Sequence, residues 1–199
     1  MRTQTALPGG VGACIHGAPD WLATPWQAVG DHDAVCQDVA RDVMRALAED
    51  GTQALVYFPV ALAKVPGSPG QEFDLLRTIE RTRTVCDQAL RPLRQHGFGR
   101  LVLVAPSFPI LFPEWSQGWE FSSWLSGYTR GLALEVAAHG VTVNAVLIGT
   151  EYDGESDESR MSEELQHSIR LFLDKDASYL TGQVMHLCGG KSMVSVFSY

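Results

Sequence analysis

Short apolar runs alternate with long amphipathic stretches, and this alternation limits most what the chain can fold into. The runs are residues 53–58 (QALVYF), 100–105 (RLVLVA), 141–147 (VTVNAVL) and 183–188 (QVMHLC). Each is short and mostly apolar, with Gly or Pro close to its ends. That is the signature of strands in a parallel sheet covered on both faces. In residues 34–50, Val35, Val39, Val43 and Leu47 recur every fourth position, and Gly51 stops the pattern. In residues 72–96, Phe73, Leu76, Ile79, Cys86, Ala89, Leu90 and Leu93 form a stripe closed by Gly97. In residues 120–139 the stripe is Phe121, Trp124, Leu125, Tyr128, Leu132 and Val136, closed by Gly140. A further helix is expected over residues 159–173. Strands alternating with helices predict βαβ units and a three-layer, Rossmann-like α/β sandwich. Upstream, residues 26–29 read as one short strand, and residues 1–20 leave room for another.

Composition narrows the function classes. The 199 residues suit a single domain over residues 1–199. Apolar residues make up 45% and charged residues 19%, a globular balance. Lys and Arg number 15 against 23 Asp and Glu, a formal charge of −8. Phosphate neutralisation needs clustered basic residues, so no nucleic-acid partner is expected. No apolar run is long enough to span a bilayer, so no membrane role is expected. Residues 1–12 hold one basic residue, Arg2, and no apolar core, so no secretory signal is expected. The scattered Cys14, Cys36, Cys86 and Cys188 then read as reduced thiols of a cytoplasmic protein.

Two C-terminal blocks carry a family resemblance. Residues 131–146, GLALEVAAHGVTVNAV, look like the end of the long active-site helix of the short-chain dehydrogenase/reductase family and the strand after it. Residues 181–190, TGQVMHLCGG, look like that family's final strand, T-G-Q-x-x-x-x-D-G-G. Residues 99–104, GRLVLV, look like the strand leading to its catalytic serine, and residues 32–61 like the stretch from its third strand through its fourth. The resemblance covers roughly residues 30–199 and implies a Rossmann-like sheet shortened at its N-terminal side.

The chain departs from that family at the positions that do chemistry. The family opens with a βαβ unit whose Gly-rich turn brings a helix N-terminus to the cofactor pyrophosphate. One such unit takes about 30 residues, and the 30 or so available here must by resemblance also hold the third strand. Residues 1–30 are therefore expected to be irregular and to lack the first βαβ unit. Gly9, Gly10, Gly12 and Gly17 do not have the spacing G-x-x-x-G-x-G, and they miss G-x-G-x-x-G because Ile15 falls where its third glycine is needed. The family's N-N-A-G after the fourth strand is replaced by Phe58-Pro59-Val60-Ala61. The resemblance implies a Tyr acid, a Lys that lowers its pKa, a Ser that orients the carbonyl and an Asn that holds a water relay. Those positions fall on Gly118, Ser122, Pro106 (Ser107 lies one residue late) and Thr78 or Ile79. Tyr128 lies on the apolar stripe and reads as a packing residue. No lysine occurs between Lys64 and Lys175. No catalytic residue and no bound NAD or NADP are expected.

Other chemistry has little support. His186 and Cys188 could both ligate, but a closed zinc site needs four ligands and no second pair exists at suitable spacing. The acidic segment 151–158 lacks calcium-loop spacing. No G-x-S-x-G elbow occurs. Trp115, Trp119 and Trp124 either fill the vacated catalytic pocket or form an apolar contact surface.

The resemblance also implies how such a chain could assemble. The helices over 72–96 and 120–139 would form a four-helix bundle with a neighbour, and the last helix and strand would form a second dimer face. Interface residues are expected among Phe121, Trp124, Leu125 and Tyr128, and in the apolar C-terminal segment at Phe197 and Tyr199. The expected function is a non-catalytic structural or regulatory subunit. It would pair with an intact short-chain dehydrogenase paralogue in a hetero-tetrameric, NAD-dependent dehydrogenase of the hydroxyacyl-CoA type. The alternative is a repurposed enzyme performing cofactor-free cyclisation or isomerisation, with Glu151, Asp153 and His186 as acid/base groups. A stand-alone binding protein is the third possibility.

Overall fold

The computed structural model describes residues 12–16, 27–28, 52–60, 73–107, 116–149 and 155–189. Among the described residues, six strands and three α-helices follow in chain order. They are β1 (Gly12–His16), β2 (Gln27–Ala28), β3 (Thr52–Tyr57), α1 (Leu75–His96), β4 (Gly99–Pro106), α2 (Ser116–Val136), β5 (Val141–Ile148), α3 (Glu155–Leu173) and β6 (Val184–Leu187). All strand pairings are parallel, in the order β2-β1-β3-β4-β5-β6.

Alternation along the strands divides the core into two layers. Leu55, Tyr57, Leu101, Leu103, Val143, Ala145 and Leu147 face α1 and α2, where they meet Val85, Leu90, Phe121, Leu125 and Val136. Ala54, Val56, Phe58, Val102, Val104, Val146 and Ile148 face α3, against Leu165, Ile169, Phe172 and Leu173. Both faces of the central strands are thus covered, which explains their continuous apolar sequences. The α/β architecture expected from the alternation is the one observed.

Helix boundaries follow local chemistry. The Asp74 carboxylate caps α1 by accepting from the Arg77 N–H (2.9 Å). Gly97 closes α1 at φ 67°, and Gly140 closes the 3-10 turn after α2 at φ 68°. These two closing turns meet: the Gly99 N–H donates to the Gly140 carbonyl (3.4 Å). A Cβ on Gly140 would lie 2.4 Å from the Gly97 carbonyl oxygen. The helix expected over residues 34–50 lies outside the described residues.

One expectation needs correction. Residues 1–30 are not wholly irregular, because β1 and β2 both join the sheet. β1 pairs with β3, from Gly12 opposite Thr52 to His16 opposite Tyr57. That is the position next to the reversal of strand order which the first strand of a doubly wound sheet occupies. The cause is pairing rather than local pattern: a strand this short is specified by the neighbour that takes up its backbone hydrogen bonds. Residues 17–26, which join β1 to β2, lie outside the described residues. No helix among the described residues is long and apolar enough to cross a membrane.

Candidate functional site

Crossovers in a parallel sheet bring the amino ends of the helices to the carboxyl ends of the strands, and ligands of open α/β sheets lodge along that edge. Here the edge is formed by the residues after β3, β4 and β5 and by the first turns of α1 and α2.

After β3, Phe58 is fully buried in the layer facing α3. Arg81 of α1 reaches this turn and donates from Nη2 to the Pro59 carbonyl (2.7 Å). An apolar ring and a proline carbonyl held by an arginine therefore stand where the resemblance puts paired asparagines. After β4, the buried Ser107 donates its N–H to the Ile148 carbonyl (2.6 Å). Pro106 is the last residue of β4 and is opposite Ile148. Gly118 and Ser122 lie one turn apart near the start of α2, and both are buried. The Ser122 hydroxyl makes no hydrogen bond. The Thr78 hydroxyl donates to the Asp74 carbonyl of its own helix (2.8 Å).

A row of aromatic rings runs along the junction of α1 and α2. Phe73 meets Phe121 edge-on (centroids 5.9 Å apart), Phe121 lies against Trp124 (5.7 Å), and Trp124 stacks on Tyr128 (4.8 Å). This corrects part of the interface expectation. Phe121 and Leu125 are fully buried in the chain's own core, because the stripe they belong to packs on β4, β5 and α1. Trp124 and Tyr128 are half-buried against that core. Trp119 is 46% exposed, and Trp115 lies outside the described residues. Phe197 and Tyr199 also lie outside them.

The titrating groups near this row are poor acids. Burial raises the Tyr128 hydroxyl well above its usual value, helped by the neighbouring Cys86 and Asp87 and opposed by Arg83. Burial likewise raises the Cys86 thiol, with Asp87 adding to the rise and the nearby Tyr128 hydroxyl opposing it. Both groups stay protonated at neutral pH, so Tyr128 has the character of a packing residue.

β6 contributes a different cluster. The Asn144 amide Nδ2 donates to the Leu180 carbonyl (2.8 Å), and its Oδ1 accepts from the Gln183 N–H (3.0 Å). Thr181 Oγ1 accepts from the Val143 N–H (3.1 Å). The T-G-Q block is thereby clipped to β5. His186 is exposed on β6, whereas Cys188 just beyond is buried. Partial burial holds the His186 imidazole below its usual value. No group of three or more His, Cys, Asp or Glu able to hold a metal ion occurs among the described residues. Glu151 and Asp153 lie outside them.

Sequence reasoning missed two features of this edge: the Arg81 contact to Pro59 and the lone hydroxyl of Ser122. Neither leaves a signal in the sequence, since an arginine or serine on a helix ordinarily faces water.

No protein-family model matches the chain. Over 115 residues it is 36% identical to subunit BbsC of (2S)-[(R)-hydroxy(phenyl)methyl]succinyl-CoA dehydrogenase from Thauera aromatica, covering 50% of this chain and 46% of that one. Over 84 residues it is 31% identical to subunit BbsD of the same dehydrogenase, covering 34% of each chain. The chain thus spans half or less of the length of these curated relatives. The crystal structure of acetoin dehydrogenase from Enterobacter cloacae superposes with a TM-score of 0.67 at 26% identity, covering 84% of this chain and 75% of that one.

Proposed function

We propose that this chain, a member of the short-chain dehydrogenase/reductase family, is a non-catalytic subunit that pairs with an intact family member in an NAD-dependent hydroxyacyl-CoA-type dehydrogenase. The observation that carries this reading is the pair Gly118 and Ser122. They occupy the buried face of α2 where the resemblance places the acid Tyr and its Lys. Glycine has no group to donate a proton, and serine has no charge to lower a phenol's pKa. Phe58, Pro59 and Pro106 take up other positions of the family's machinery. The chain would act as one cytoplasmic domain over residues 1–199 and bind no nicotinamide cofactor itself.

Two further facts support the pairing. BbsC and BbsD are, by their names, two subunits of one dehydrogenase. The chain also exposes large apolar side chains on α1 and α2: Leu76 at 77%, Leu134 at 83% and Trp119 at 46%. The outer edges of Trp124 and Tyr128, together with Phe197 and Tyr199, are proposed to extend that contact. The partner reading commits to a hetero-tetramer and to 2-[hydroxy(phenyl)methyl]succinyl-CoA as the candidate substrate of the partner's site.

Co-expression with each intact family member from the same genome tests the proposal. We expect one partner to co-elute on size exclusion and the complex to oxidise the candidate thioester with NAD. The isolated chain should give no heat with NAD or NADP in a calorimetric titration. A folded monomer that ignores every intact paralogue, or micromolar cofactor binding by the chain alone, rejects the reading.

A further inference from the structure

We draw no further inference here: the strongest candidate, the outward face of α1 and α2 where the exposed charges Glu80, Arg83, Asp87 and Arg91 lie on one helix and the exposed small residues Gly127 and Gly131 on the other, restates the helix-bundle contact that the family resemblance already implies.

Discussion

The carboxamide of Asn144 joins β5 to the turn before β6 with both its ends, donating to Leu180 and accepting from Gln183. Buried amides that lose such bonds leave two backbone groups unpaired, at about 1–3 kcal/mol. Asn144→Ala should therefore lower the unfolding free energy by about 1–3 kcal/mol, read as a lower urea midpoint at an unchanged denaturant slope. A change in slope would mean that the mutation alters the unfolded or native ensemble instead. His186 allows a prediction with a definite sign. Its folded pKa lies below the usual 6.5 because burial disfavours the imidazolium. The unfolded chain therefore takes up the proton first, so His186 contributes stability at pH above about 6.5 that is lost as pH falls below it. The side chain is exposed on β6, so the effect is small. Replacing it by Gln should flatten the acid limb of a stability-against-pH curve, and a limb that steepens would contradict the assignment.

At the scale of elements, the crossing of two helix-closing turns is the most demanding feature. Gly97 and Gly140 both have positive φ, and the space between them admits no Cβ on Gly140. The left-handed conformation alone disfavours any other residue by roughly 1–2 kcal/mol. The 2.4 Å approach to a carbonyl oxygen adds to that cost, since backbone rather than a flexible side chain would have to yield. Gly140→Ala should lower the thermal midpoint markedly, whereas Gly131→Ala, on the open face of α2, should leave it unchanged or raise it through better helix propensity. Calorimetric scans of the two variants separate these outcomes. The fully buried Arg100 ties β4 to the end of α3 by a different route. Its guanidinium donates to the carbonyls of Gly99, Asp174 and Lys175 and lies over the Phe98 ring, and Asp174 supplies the nearby opposite charge.

For the whole molecule, the outward side chains separate assembly from folding. Trp124 stacks on Tyr128 within the chain, so Trp124→Asp should damage the fold as well as any contact. Leu134, at 83% exposure, has little to lose in the monomer. Leu134→Glu should leave the unfolding free energy of the isolated chain unchanged within about 0.5 kcal/mol. In the co-expressed complex it should weaken association, read as a shift toward the free chain on size exclusion. If Leu134→Glu leaves the complex intact, α2 does not face the partner there. The apolar exposure of Leu76 on α1 then becomes the next place to look.

The sequence alone determined the α/β architecture and the order of the central strands and helices. Hydrophobic patterning is local: short continuous apolar runs and stripes of period 3.6 are written along the chain, and glycines at 97 and 140 punctuate it. It also carried the identities of Gly118 and Ser122, where the resemblance implies an ionisable Tyr and Lys, because identity at a motif position needs no coordinates once the motif is aligned. Three things were decided only by tertiary structure. β1 takes its place beside β3 because a five-residue strand is defined by its partner, not by its pattern. Phe121 and Leu125 turn inward while Leu134 turns outward, since a stripe along a helix does not say which part of it meets the sheet and which a neighbour. The lone hydroxyl of Ser122 emerges only when burial is known, because exposure to water would have satisfied it at no cost.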